Sequence, residues 1–327
     1  MEKILTIIVP IYNMAKYLRA GLDSYLAVKR RWLLSLTLID NSSEDESFDI
    51  AKEYESKSQG LFCAIRKPNG GYGSSVNLGI ELAKTKYLKV VDADDSVNPE
   101  ALDELLERLL SCDDDAILTP HLEIFEKSGE AKAVFYNFPD GAEIPISSFR
   151  YSPGFHGLCF KTEFLKKASV TLSENAYFAD EELAVYPFFY LKSIRYFDIA
   201  VYRYSREREG QSTSEENVIK RLSDRERVLK RMADFYEAAS IRPKNRAYAL
   251  KRVAKSLGNH FTTLLILHPK RAEGRREARR FKEYLRRRHP SLYRATRGKR
   301  RALLLLNLLG TSPSLYERLK KILLRNI

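Results

Sequence analysis

Continuous apolar runs and apolar residues spaced by three and four alternate through residues 4–110 of this chain. Leu5-Thr6-Ile7-Ile8-Val9 has the look of a strand buried on both faces, whereas Met14, Tyr17, Leu18, Gly21, Leu22, Tyr25 and Leu26 recur at helical spacing. The alternation repeats as a strand over Ser35–Asp40, a helix marked by Phe48, Ala51 and Tyr54, a strand over Leu61–Ile65, a helix marked by Val76, Ile80 and Ala83, and a strand over Tyr87–Val91. Asn98-Pro99 then opens a helix, a cap followed by proline in the first turn, with Leu102, Leu105, Leu106 and Leu109 on one face. Repeated units of this length predict an α/β fold in which a mostly parallel sheet is covered by helices.

Past Ile117 the pattern breaks into short strand-like pieces over 121–150 and mixed elements over 151–205, closing on a strand-like run from Ile194 to Tyr204. From Glu215 the chain turns helical, punctuated by Pro243, Pro269, Pro290 and Pro313. The predicted division is one α/β domain over 1–214 and a helical extension over 215–327. Charge divides the chain near the same point. Residues 220–327 hold 31 Lys and Arg against 8 Asp and Glu, a balance of +23, which leaves −10 for residues 1–219. An acidic front part is a poor nucleic-acid surface, and a basic tail suits an anionic membrane, a nucleic acid or an acidic polymer. Cys63, Cys112 and Cys159 are odd in number and far apart, which fits a reducing compartment, so the cytoplasm is expected. No run approaches the ~20 apolar residues of a membrane span.

In an open parallel sheet, ligands bind beyond the carboxyl ends of the strands, so the residues just after each strand carry the chemistry. Four polar segments follow strands here: Val9-Pro10-Ile11-Tyr12-Asn13, Asp40-Asn41-Ser42-Ser43-Glu44-Asp45, Asn69-Gly70-Gly71 leading to Asn77-Leu78-Gly79, and Asp92-Ala93-Asp94-Asp95. The last is the sharpest. Three carboxylates at a strand end repel one another unless a cation or a donor group offsets them, and a hard divalent ion shared with phosphates does so. Capping of the next helix by Asp94 or Asp95 is the alternative. The glycine-rich stretch is neither a P-loop nor a dinucleotide fingerprint, but a turn feeding a helix N-terminus favours anions.

Together these four segments resemble the inverting glycosyltransferases of family 2, which have the GT-A fold, a Rossmann-like mixed sheet. The resemblance spans residues 4–110 and, more weakly, 150–214. It implies that Pro10, Tyr12 and Asp40 hold the nucleobase of a nucleotide-sugar donor, usually uracil, and that Asn69, Gly70 and Gly71 line the donor. It implies further that Asp92 meets the ribose or the metal, and that Asp94 ligates Mg²⁺ or Mn²⁺ against the diphosphate. Tyr177-Phe178-Ala179-Asp180-Glu181-Glu182 is similar to the family's acidic pair ahead of a helix. That makes Asp180 the base, with Glu181 as competitor because Ala179 stands where the first acid is usual. His156 matches a position beside the reacting sugar, and Arg208, Gln211 and Ser212 match the segment that closes over the diphosphate. Asn41 and Ser42 depart from the usual Asp and Gly.

What the resemblance implies is a metal-assisted transfer of sugar from a nucleotide diphosphate, such as a UDP-sugar, to a glycan or lipid-linked acceptor. A nucleotidyltransferase would carry an early glycine-rich loop with Arg or Lys where Pro10-Ile11-Tyr12-Asn13 stands, and a nucleic-acid module would leave the Asp cluster unexplained. The extension interleaves basic residues with leucines at Arg300–Leu306 and Tyr316–Leu324, an interfacial pattern that suggests a peripheral position on the inner face of a membrane. Packing of that apolar face on the catalytic domain is the alternative.

Overall fold

The computed structural model describes residues 2–149, 153–207 and 215–325, with the backbone alone at 215–216 and 322–325. It divides into two compact units, Met1–Glu209 and Gly210–Ile327. The first begins with the predicted alternation: β1 (Leu5–Ile11), α1 (Ala15–Leu26), β2 (Leu34–Asp40), α2 (Ser47–Lys57), β3 (Phe62–Arg66), α3 (Gly71–Leu82), β4 (Tyr87–Val90), β5 (Ser96–Val97) and α4 (Pro99–Ser111). Asn98 caps α4 as expected, its Oδ1 accepting from the N–H groups of Glu100 (3.1 Å) and Ala101 (3.3 Å). Then come β6 (Ala116–Leu118), β7 (His121–Phe125), β8 (Ala131–Val134), β9 (Leu158–Lys161), α5 (Thr162–Lys167), α6 (Asp180–Val185), β10 (Ile194–Tyr196) and β11 (Tyr202–Arg206).

Seven strands form the main sheet in the order β10-β6-β9-β4-β1-β2-β3, and a second sheet runs β5-β11-β7-β8. In the main sheet β9 alone runs antiparallel, against both β4 and β6, so the sheet is mixed. The Ile194–Tyr204 run is not one strand. It splits between the two sheets because the chain turns at Asp198, which accepts from the Tyr196 hydroxyl (2.7 Å) while its own N–H donates to Asp140 (2.9 Å).

Register places the site. Pairing of β1 with β2 puts Ile11 beside Asp40, and pairing of β1 with β4 puts Ile8 beside Val90. The segments after β1, β2 and β4 therefore leave the sheet along one edge. Helix α3 lies close enough on β1 that a Cβ at Gly79 would stand 2.4 Å from Ile8 Cγ2.

The second unit is helical: α7 (Glu215–Lys220), α8 (Leu222–Ala238), α9 (Arg246–Thr262), a π turn at Thr263–Leu267, α10 (Arg271–Arg288), α11 (Pro290–Ala295), α12 (Arg297–Leu308) and α13 (Pro313–Arg325). Pro290 and Pro313 stand at first helical positions, where a missing N–H costs nothing. Its core holds Val228, Leu229, Met232, Leu257, Phe261, Phe281, Leu285 and Leu303. Among the described residues no helix is long and apolar enough to cross a membrane.

The Gly79 contact predicts that Gly79→Val lowers stability by about 1–3 kcal/mol, since two well-packed elements must separate. Urea unfolding checks it, and an unchanged midpoint would show that α3 can slide without loss.

Candidate active site

The edge of the sheet is organised by its own loops. Asp40 is enclosed, its carboxylate accepting from the Ser43 N–H (3.2 and 3.3 Å) and pairing with Arg66 (3.3 Å). Pro10 is half-buried and Tyr12 exposed beside that turn. Asn41 tethers the glycine-rich loop, its Oδ1 accepting from the Gly70 N–H (3.1 Å) and from Lys67 Nζ (3.3 Å). Lys67 also donates to Ser74 Oγ (2.8 Å) in α3. The side chain of Asn69 folds back to accept from the Gly71 N–H (3.0 Å), and Gly71 takes φ 76°, the left-handed region where glycine has no Cβ to clash. Gly70, at the N-cap of α3, has no side chain of its own to offer the first turn, and Asn69 takes only the Gly71 N–H, so that helix end remains suited to an anion.

Helix α3 also fixes the segment that carries the acidic pair. Asn77 clamps Leu172, donating to its carbonyl (3.1 Å) and accepting from its N–H (2.8 Å). The Asn175 N–H donates to the Gly70 carbonyl (2.6 Å), and Gly73 is packed so tightly that a Cβ would meet the Ser173 carbonyl at 2.1 Å. Three acids then open α6. Glu182 is the buried one, accepting from the Ser173 backbone and hydroxyl (2.9 Å) and from the Tyr186 hydroxyl (2.8 Å). It anchors the helix, and Asp180 and Glu181 are each half-buried. Phe178, just before them, has φ 70°, a strained conformation for a bulky residue of the kind that gathers at functional sites.

Asp92 stands at the centre. Burial, and then the charges of Asp95, Asp94 and Asp180, push its carboxyl well above the usual carboxylate range. Its Oδ1 is buried and has no hydrogen bond. The Tyr72 hydroxyl lies beside Asp92 and also feels the charge of Asp180, and burial first, then those charges, raises its pKa well above the ordinary tyrosine value. Asp95 is held in place: it accepts from the Tyr202 hydroxyl (2.5 Å) and from the Ser205 N–H (2.8 Å), which ties β11 to the end of β4.

His156 joins this group. Single ligand atoms of Asp92, Asp95 and His156 all lie within 4.8 Å of one another. The imidazole stacks on Tyr204 (4.5 Å) and His121 (5.4 Å), and burial, followed by the charges of His121, Lys89 and Arg206, drives its pKa well below the ordinary histidine value. A neutral ring is the form that ligates metals. Lys89, buried in mid-strand and lowered to about 8 by burial, donates to the carbonyls of His156 and Leu158 (3.2 Å) and so fixes the histidine's backbone.

The structure thus brings together Asp92, Asp180 and His156, and sets Pro10, Tyr12, Asp40, Asn69, Gly70 and Gly71 along the same edge. Asp94, half-buried, acts on Asp92 through its charge but is outside the three-ligand group. Arg208, Gln211 and Ser212 lie outside the described residues. Tyr72, Lys89, Glu182 and Tyr202 also line or support this site, though no motif in the sequence marks them. A lysine inside the otherwise apolar Tyr87-Leu88-Lys89-Val90 was the available signal for one of them. The residues fit a divalent cation, because one buried carboxylate oxygen lacks a partner while carboxylates and a neutral imidazole surround it.

The model of glycosyl transferase family 2 matches residues 6–163. An uncharacterized glycosyltransferase of Rickettsia prowazekii is 32% identical over 115 residues, 35% of each chain. The glycosyltransferase GlyG of Streptococcus pneumoniae is 26% identical over 147 residues, 45% of this chain and 47% of its own. The chain therefore spans about a third to a half of the length of these curated relatives. Among solved structures, S. aureus TarS 1–349 in complex with UDP-GlcNAc superposes with a TM-score of 0.70 at 19% identity, covering 94% of this chain and 92% of that one. The mannosyltransferase PcManGT of Pyrobaculum calidifontis, in complex with GDP-Man and Mn²⁺, superposes with a TM-score of 0.52 at 16% identity, covering 95% and 89%. At such identities the likeness carries the fold, which is GT-A with a helical C-terminal region. Residues 6–163 thus match glycosyl transferase family 2, a family of transferase enzymes.

Proposed function

We propose that the chain is an inverting glycosyltransferase that moves a sugar from a UDP-sugar to a glycan or lipid-linked acceptor, with residues 1–214 as its catalytic domain and 215–327 as its extension. The observation that carries the reading is the buried, partly unbonded carboxylate of Asp92 at the end of β4, with Asp180 and the Tyr72 hydroxyl close by. UDP-GlcNAc and UDP in the TarS complexes support the nucleotide, and Mn²⁺ in PcManGT supports a metal of that kind. Tyr12 and Pro10 would flank the base, while Asp40 would fix the turn against which it rests. Asn69, Gly70 and Gly71 would line the sugar diphosphate, and Arg208, Gln211 and Ser212 would close over it.

Mg²⁺ or Mn²⁺ would be held by Asp92 and Asp94, with His156 as a nitrogen ligand, and Asp95 would stay with Tyr202 and Ser205. When bound, the ion offsets charge on the departing diphosphate. In the chain's own chemistry, Asp180 accepts the proton of the acceptor hydroxyl as that oxygen bonds to the anomeric carbon. The bond from that carbon to the diphosphate oxygen breaks on the opposite face, so the configuration inverts. One base suffices because no sugar is attached to the protein, unlike the paired carboxylates of retaining glycosidases. Glu182, spent on Ser173 and Tyr186, holds α6 so that Asp180 keeps its aim.

For the metal, titration calorimetry with UDP-GlcNAc and Mn²⁺ is expected to show metal-dependent binding in the parent chain and its loss in Asp92→Ala and Asp94→Ala. His156→Ala should weaken the Mn²⁺ dependence alone. If Asp94→Ala binds as the parent does, that ligand assignment fails.

For the base, Asp180→Asn is expected to bind donor normally yet transfer sugar roughly 10²- to 10⁴-fold more slowly, with Glu181→Gln near the parent rate. Initial-rate measurements of UDP release separate the two, and the opposite ranking would move the base by one residue.

A further inference from the structure

Helix α12 is built inside out. Arg300 and Asn307 point inward beside Leu303, while Leu304, Leu305, Leu308 and Leu309 are 44%, 58%, 65% and 71% exposed. Scattered exposed leucines are ordinary, but four at adjacent helical positions form one patch. Leu315 and Leu319 of α13 extend the set of exposed leucines past the turn, at 47% and 37% exposure.

The inversion is held by a polar clamp. Asn307 donates to the Leu265 carbonyl in the π turn (2.5 Å) and accepts from Arg275 (2.9 Å). Arg271 donates to the carbonyls of Asn307 (3.2 Å), Gly310 (2.8 Å) and Thr311 (2.9 Å). Gly310, at φ 76°, ends the helix so that α13 can start at Pro313. With Asn307 and the turn both tied to the body of the unit, the leucines cannot roll inward without breaking buried hydrogen bonds.

Charge selects the occupant. Residues 297–325 contain eight basic residues and one acid, Glu317. Arg297, Lys299 and Arg301 are exposed on α12, as are Arg318, Lys320 and Lys321 on α13. Two copies meeting through such faces would repel, whereas an anionic surface attracts them. Along α12 the basic residues occupy the first half and the exposed leucines the second, so the helix suits a layer with charged headgroups outside and acyl chains inside.

We infer that the corner between α12 and α13 docks on an anionic bilayer, seating Leu304, Leu305, Leu308 and Leu309 at the headgroup boundary while the flanking arginines and lysines meet lipid phosphates. This deepens the membrane position expected from the sequence. It is read without donor or acceptor, so its outcome is independent of the transferase reading.

The test is flotation of the full chain with vesicles of phosphatidylcholine alone or with phosphatidylglycerol added. The parent is expected to float with the anionic vesicles at low salt and not with the neutral ones. The exposed-site variant Leu305→Ser/Leu308→Ser/Leu309→Ser should keep its circular dichroism and melting temperature yet bind at least about tenfold more weakly. Trp32 is the chain's single tryptophan, so Trp32→Phe combined with L308W reports insertion by a blue shift on anionic vesicles. Three results overturn the inference: no flotation of the parent, equal binding by parent and triple-serine variant, or sedimentation showing a dimer that the triple-serine variant abolishes while neither binds vesicles.

Discussion

Everything at the sheet edge answers to the repulsion among carboxylates gathered at the end of β4. Asp95 is accommodated by donors, the Tyr202 hydroxyl and the Ser205 N–H, and in return it holds β11 against the main sheet. Asp92 has no such accommodation at Oδ1, and its burial makes the charged form costly. Nature's usual solutions are protonation or a cation.

The second constraint is that the glycine-rich loop and the acids that open α6 come from sequence segments about a hundred residues apart. Helix α3 bridges them. Asn77 grips Leu172, Gly73 allows the Ser173 carbonyl to press against the helix, and the Gly70 carbonyl receives the Asn175 N–H. Glu182 then pins Ser173 to α6 from the other side. The glycine-rich loop and the start of α6 are therefore joined through hydrogen bonds as well as through packing.

The fold was legible where periodicity was strong. Leu5–Val9, Ser35–Asp40 and Tyr87–Val91 became neighbouring strands because their apolar runs must be covered on both faces. The Ile194–Tyr204 run misled because it is apolar and aromatic throughout, and nothing local marks Asp198 as a corner. Its turn depends on Asp140, a partner distant in sequence. At the site, Asp92 was legible from strand position and charge. The grouping with His156 was not, since a lone histidine gains meaning only when Lys89 and the aromatic stack place it. Asn41 looked like a departure from the family pattern, and its tether to Gly70 shows what the amide does at that position.

The extension follows a different logic from the catalytic fold. Its core is built from residues such as Phe261, Phe281 and Leu285, and the outward leucines of α12 lie outside it. Asn307 and Arg300 are buried where leucines could have been, and Asn307 serves there as the centre of the clamp between α12, the π turn and α10. The balance of +23 over residues 220–327 against −10 over 1–219 sharpens the point. An anionic surface attracts the first set of charges and repels the second, so the two parts of the chain have opposite electrostatic characters.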